Sequence, residues 1–175
     1  YPLSQVSSVI VRVLFPTLSQ LQDDPERFKR AYLKSVSMIA MLTFPMMLGL
    51  LAVSHDFVLV VLGEKWLPME TVLQVFCLIG LVQSVATTVG TIYLSTGSTR
   101  QLFLVSLIAT PVVISSFVIG VQWGIIGVAT AYAVATGVLF YVSLTIALRL
   151  GKITLREWHR TVAIPMQAAV FMAVV

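Results

Sequence analysis

Residues 12–34 read RVLFPTLSQLQDDPERFKRAYLK, and the orientation of the rest of the chain follows from this stretch. It leaves an apolar segment, passes through a charged turn and re-enters apolar sequence at Ser35. Asp24 followed by Pro25 predicts a helix start. An Asp side chain can cap free backbone N–H groups, and proline at the first helical position removes only a donor that has no partner there.

The aromatic residues that follow this helix start share one face. Phe28, Tyr32 and Leu33 lie opposite the cations, a pattern typical of a short amphipathic helix at a membrane surface. A solvated helix start in an ordinary loop is the alternative. The surrounding sequence favours the membrane interpretation.

The composition excludes a soluble domain. Charged residues make up 10% of the chain, hydrophobic residues 58%, and the mean hydropathy is +0.99. A soluble domain carries roughly 25% charged residues, so this chain could not cover itself against water. The formal charge of +4 comes from short clusters beside apolar spans, a pattern that indicates membrane orientation and not a nucleic-acid partner.

Apolar runs predict an all-α, polytopic membrane helix bundle with four complete and two partial transmembrane helices. A helix needs about 20 apolar residues to cross a hydrocarbon core of about 30 Å. The charge-free stretch 101–148 is too long for one helix, and its GVQWG turn at 120–124 divides it in two. The predicted spans are 1–20 (partial), 35–62, 71–94, 102–120, 124–148 and 162–175 (partial).

The two ends of the chain lie in apolar sequence, which we interpret as one partial transmembrane domain, 1–175, of a longer protein. Lys and Arg are concentrated in alternate connections: 21–34 and 149–160 hold four each, and 95–101 holds one. The positive-inside bias therefore predicts that these three loops are cytoplasmic.

Arg12 is the strongest candidate for a functional side chain, because a cation inside a span usually faces a cavity or a partner. Ser8 lies about one turn before Arg12 and Gln5 about two turns before it, on the same side of the helix. A guanidinium group binds phosphate through two parallel hydrogen bonds. Snorkelling of Arg12 to the cytoplasmic headgroups is the alternative.

A second polar stripe lies on the span at 71–94, where Gln83, Thr87 and Thr91 recur at helical spacing. These side chains could line a substrate cavity together with Arg12. Hydrogen bonds between neighbouring helices are the alternative, since uncharged polar groups often play this role in membranes.

The sequence offers little that resembles a catalytic or metal-binding motif. His55 and His159 lie in connections without metal-ligand neighbours, and no span carries paired carboxylates or a Gly-rich phosphate loop. Cys77 is expected to be a small buried hydrophobe. The sequence therefore predicts a protein that is not an enzyme and that uses neither a metal nor another cofactor.

Several spaced motifs resemble the polysaccharide and oligosaccharide flippases of the multidrug/oligosaccharidyl-lipid/polysaccharide exporter superfamily. They cover nearly the whole chain: RVLFPTLS at 12–19, DDPERF at 23–28 with Tyr32, FP at 44–45, LGEKW at 62–66, STG at 95–97 and WGIIGVA at 123–129. The resemblance implies a two-lobe fold around a central cavity. This chain would form the greater part of the C-terminal lobe, without the N-terminal lobe.

The resemblance also implies a function. Such a protein would move undecaprenyl-diphosphate-linked oligosaccharide from the cytoplasmic to the outer leaflet of the bacterial inner membrane by alternating access. It would serve the biosynthesis of lipopolysaccharide, exopolysaccharide or other surface polysaccharide, with membrane lipid as a further partner. A cation-coupled multidrug exporter of the same superfamily, or a membrane glycan polymerase or ligase, is the alternative.

Overall fold

The structure is a computed structural model, and it describes residues 14–174, with side-chain environments up to residue 172. This part of the chain is helical and contains no strand, which confirms the predicted all-α class. Helix α1 is described over residues 14–20. The α-helices that follow are α2 (Pro25–Ala52), α3 (Ser54–Phe57), α4 (Glu70–Ser95), α5 (Thr99–Gly120), α6 (Gly124–Leu150) and α7 (Leu155–Val174). Shorter helices join them: a π-helix at Val58–Leu62 and 3₁₀ helices at Glu64–Met69 and Val121–Trp123.

The predicted start of α2 is confirmed. The Asp24 side chain accepts a hydrogen bond of 3.1 Å from the backbone N–H of Arg27, and Pro25 is the first helical residue. The surface-helix interpretation of this stretch is wrong, however. Helix α2 runs without a break to Ala52, and Phe28 and Tyr32 are buried in the helix-bundle core. Neighbouring helices cover the aromatic face that the sequence pattern assigned to lipid headgroups.

Within residues 14–174, three stretches are long and apolar enough to cross a membrane: Pro25–Ala52, Glu64–Ser95 and Thr99–Leu150. The third stretch contains two helices, because the 3₁₀ turn at Val121–Trp123 reverses the chain between α5 and α6 where the sequence predicted a turn. These helices confirm a polytopic membrane bundle. The exact ends of the predicted spans remain predictions.

Close approach of two glycines shapes the hairpin of α5 and α6. A Cβ on Gly127 would lie 2.5 Å from the carbonyl oxygen of Gly120 and 2.5 Å from Cβ of Trp123. Only glycine fits there, so the two helices meet backbone to backbone just inside the turn.

The long helices pack as a row in the order α7, α2, α4, α6 and α5, each mainly against its neighbours. The core lies between α2, α4, α6 and α7, and Leu14 and Leu18 of α1 belong to it. Helix α5 touches α4 little and packs mainly on α6. The only buried residues of α5 are Ser116 and Gly120.

The three connections predicted to be cytoplasmic meet at one end of the bundle. Lys29 of α2 forms an ion pair of 2.7 Å with Glu157 of α7, which joins the loops at 21–34 and 149–160. A small pocket at the same end is lined by Gln22, Thr96 and Lys152, one residue from each of the three connections. The structure therefore agrees with the alternation inferred from the charges.

Candidate functional site

Helix α4 carries the part of the predicted site that the structure describes. Arg12, Ser8 and Gln5 lie outside the described residues. Gln83 and Thr87 both lie on an exposed side of α4, near the middle of a helix that has no charged residue between Glu70 and its end.

The amide of Gln83 reaches a neighbouring helix. Its Nε2 donates a hydrogen bond of 2.9 Å to the phenol oxygen of Tyr132 on α6. The Tyr132 ring is stacked on Phe117 of α5, with centroids 5.4 Å apart and planes within 12°. Three helices therefore meet here, through side chains of α4, α5 and α6. We call the two hydrogen-bonded residues the Gln83–Tyr132 pair, and Phe117 supports the pair by stacking on Tyr132.

The other two residues of the predicted polar stripe behave differently. The Thr87 hydroxyl donates to the carbonyl oxygen of Ser84, 2.9 Å away in its own helix. Thr91 is buried, and its hydroxyl has no partner among the described residues. The stripe separates because positions spaced by four residues drift around a helix of 3.6 residues per turn. Gln83 and Thr91 consequently face different surroundings.

A cleft of about 380 Å³ extends from Tyr132 between α4, α5 and α6. Three further hydroxyl groups line it, those of Ser106 on α5 and of Thr136 and Ser143 on α6. Tyr93 of α4 also lines the cleft, but its hydroxyl is occupied by a 2.9 Å bond to the Ser143 carbonyl oxygen. The lining residues include no charged group. We call this space the hydroxyl cleft.

A second space of about 280 Å³ lies on the other side of Tyr132 and is lined only by apolar and aromatic side chains, among them Phe76 and Phe117. Val72 and Ile125, near the starts of α4 and α6, place this space toward the end of the bundle opposite the basic loops. Tyr132 therefore stands between an apolar space and the hydroxyl cleft. Sequence patterns missed Tyr132, because its partner is 49 residues away.

Ion pairs hold the two ends of the bundle. At the basic end, hydrogen bonds from Lys29 and from Thr154 lower the pKa of the Glu157 carboxyl to about 2, so it stays ionised at physiological pH. At the other end, Nδ1 of His55 lies 2.9 Å from a carboxylate oxygen of Glu70. That hydrogen bond is the main cause of the raised pKa of His55.

The described residues contain no group of His, Cys, Asp and Glu arranged to hold a metal ion. Cys77 is a buried free thiol, as expected from its apolar neighbours. Around the Gln83–Tyr132 pair, by contrast with the two ends of the bundle, the polar groups are amides, hydroxyls and aromatic rings. Such groups can bind a neutral, hydroxyl-rich molecule through hydrogen bonds and ring contacts.

Comparisons with known proteins point to polysaccharide biosynthesis. Residues 1–71 match the family described as polysaccharide biosynthesis protein. The chain is 36% identical to the lipopolysaccharide biosynthesis protein WzxC of Escherichia coli, over 75% of the chain and 27% of that relative. It is 24% identical to the teichuronic acid biosynthesis protein TuaB of Bacillus subtilis, over 99% of the chain and 36% of that relative.

A third relative carries transport in its name. The chain is 38% identical to the succinoglycan biosynthesis transport protein ExoT of Rhizobium meliloti, over 37% of the chain and 13% of that relative. No solved structure matches the chain. The chain spans about a third or less of the length of these relatives. The chain therefore belongs to the polysaccharide flippase family, as the sequence motifs indicated.

Proposed function

We propose that the full-length protein moves a lipid-linked oligosaccharide, an undecaprenyl-diphosphate glycan, from the cytoplasmic to the outer leaflet by alternating access. The transport would supply surface polysaccharide biosynthesis. The relatives support a polysaccharide-related membrane transporter, since their names join polysaccharide biosynthesis with transport. The lipid carrier, the direction and the mechanism are the parts that we add.

The observation that carries the proposal is the exposure of uncharged polar groups in the middle of an apolar helix. Gln83 and Thr87 lie on the open side of α4, whereas the rest of that helix is apolar enough to span a membrane. Lipid-facing polar groups are unfavourable in hydrocarbon, so such a face usually borders a cavity or a partner. A cavity with neutral polar walls suits the passage of sugars.

A transporter is favoured over an enzyme. The relatives are named for biosynthesis and transport, and the described spans offer amides and hydroxyls as their polar groups. A glycan polymerase or ligase would need acid, base or metal groups to carry out group transfer. The prolines inside α2, α5 and α7 also suit a transporter. Proline removes one backbone hydrogen bond and so provides points where a helix can bend.

Arg12 is the proposed contact for the diphosphate. It is tested in the full-length parent protein by complementation of a flippase-deficient strain, with Arg12→Ala and Arg12→Lys compared at matched membrane abundance. We expect the alanine variant to lose surface glycan and the lysine variant to keep part of it. Lysine supplies the charge, but not the two parallel hydrogen bonds.

The outcomes separate the alternatives. Wild-type export from the alanine variant would make Arg12 a headgroup anchor and place the phosphate contact elsewhere. Failure of the wild type to restore glycan, together with extrusion of a cationic dye, would favour the multidrug exporter.

A further inference from the structure

We infer that the Gln83–Tyr132 pair is a sugar-binding subsite that recognises neutral hydroxyl groups of the glycan, separate from the place that holds the diphosphate. This inference rests on the proposed function and specifies which part of the substrate is bound at this point of the cavity. It is carried by the position of the pair, by its unused hydrogen-bonding groups and by the adjoining hydroxyl cleft.

The position of the pair excludes a simple lipid-facing role. Gln83 is exposed on the described surface although it lies about three and a half helical turns from either end of α4. An amide at this depth cannot reach the headgroups as a long Lys or Arg side chain can, so snorkelling is not available to it. Beyond its bond to Tyr132, the remaining polar atoms of Gln83 call for polar partners in the whole protein.

Three hydrogen-bonding groups of the pair are available to a ligand. One N–H of Gln83 is used in the bond to Tyr132. The second N–H and the carbonyl oxygen of Gln83 remain, and so does the O–H of Tyr132, since none has another partner among the described residues. Two donors and one acceptor, side by side, match adjacent hydroxyl groups on a sugar ring.

The hydroxyl cleft adds further hydrogen-bonding groups beside the pair. Just over half of the Ser and Thr side chains of α4, α5 and α6 donate to a carbonyl oxygen of their own helix, for example Thr88, Thr110 and Ser116. Ser106 and Thr136 make no such bond within the described part of the chain, although both line the cleft. Helical hydroxyls that forgo their local acceptor can hydrogen-bond a ligand.

The uncharged lining and the shape of these two spaces suit the sugar part of the substrate better than its diphosphate. The lining of the cleft and of the apolar space beside it carries no ionisable cation, so neither offers a counter-charge to a diphosphate. The stacked rings of Tyr132 and Phe117 present an apolar wall next to the polar groups. This combination of a ring surface and hydrogen-bonding groups suits a sugar, which has C–H faces and hydroxyl edges.

The test measures binding to the purified full-length parent in nanodiscs with two probes. One probe is a prenyl diphosphate carrying a neutral disaccharide, and the other is the same prenyl diphosphate without sugar. Tyr132→Phe removes the hydroxyl and keeps the ring stack, and Gln83→Leu removes the amide at similar volume. We expect each variant to weaken binding of the sugar-bearing probe roughly 3- to 10-fold, the loss of about one hydrogen bond, and to leave the sugar-free probe unchanged.

Tyr141→Phe is the matched control. Tyr141 lies on the same helix, is exposed and has no hydrogen bond within the described region, so its variant should bind both probes as the wild type does. If the wild type prefers the sugar-bearing probe and both pair variants keep that preference, the subsite is refuted and the proposed function stands. If the wild type binds neither probe, the proposed function itself fails.

A purely structural role gives a different pattern. Were the pair only a bond between α4 and α6, Tyr132→Phe would lower the thermal midpoint of the protein and leave the ratio of the two affinities intact. That result would also overturn the inference.

Discussion

Lys152 adopts a backbone conformation that suits glycine, with φ of 52° just after α6. There its N–H and that of Ile153 close the helix by bonds to the carbonyls of Arg149 and Leu148, 3.2 and 2.8 Å long. Helix α4 ends in the same motif, but with Gly97 at the equivalent position. A left-handed conformation costs a non-glycine residue roughly 1–2 kcal/mol.

We therefore expect Lys152→Gly to stabilise the protein by roughly 0.5–1 kcal/mol, since glycine relieves the strain but gains entropy when unfolded. Thermal unfolding of the full-length protein in detergent checks this. Lys152→Ala is the control for the lost charge, because it keeps the Cβ and should gain nothing. Equal stabilisation by alanine would assign the effect to charge instead of backbone strain.

His55 makes the opposite end of the bundle sensitive to pH. Glu70 raises the pKa of the imidazole, so the folded state favours the protonated form. The stabilisation is fully present below the unfolded pKa of about 6.5 and is lost as the pH rises through the higher folded value. We expect the thermal midpoint of the wild type to fall more between pH 6 and pH 8 than that of His55→Gln. Parallel pH profiles would contradict a role for this pair.

Some residues were predictable from sequence and others were not, for a physical reason. Capping of α2 by Asp24 depends on neighbours within one turn, so local sequence reveals it. Tyr132 acquires its role from Gln83 and Phe117 on two other helices, and no local pattern encodes that meeting. The surface assignment of Tyr32 failed in the same way, because its burial depends on helices distant in sequence.

At the scale of the helices, the hairpin of α5 and α6 depends on one point of contact. Gly127→Ala places a methyl group against the backbone of Gly120 and the side chain of Trp123, so the turn must open. We expect this variant to unfold at a lower temperature and to accumulate less in the membrane. Overpacking of this kind costs about 1–3 kcal/mol.

Gly137→Ala is the control on the same helix. A Cβ at Gly137 meets nothing within 4 Å, so alanine there should be tolerated and should favour the helix slightly. If both variants behave alike, the close approach at the turn does not matter for stability.

Hydropathy predicts where the long helices lie in the sequence, but not which side of each helix packs against its neighbours. Apolar length predicts α2, α4, α5 and α6 because the bilayer sets one required length for every span. Which side of each helix packs against protein is set by the row arrangement. Periodicity alone therefore placed Gln83 and Thr91 together, although the bundle exposes one and buries the other.

At the scale of the whole molecule, the structure and the charges make one prediction about sidedness. Gln101 and Gln122 are both exposed, and they lie near opposite ends of α5. In a full-length protein from which Cys77 and every other cysteine have been replaced by serine, we expect a membrane-impermeant maleimide to label Gln122→Cys in intact cells. It should label Gln101→Cys only after the membrane is opened. The reverse pattern would invert the topology.

The unequal charge of the two ends has a consequence beyond orientation signals. The connections at the basic end carry nine cations and four carboxylates, whereas those at the other end carry one lysine and three carboxylates. In a cell with a negative interior, transferring an elementary charge across the membrane changes its free energy by about 2.3 kcal/mol per 100 mV. The resting membrane potential therefore stabilises the predicted orientation, in which the basic end of the bundle faces the negative interior of the cell.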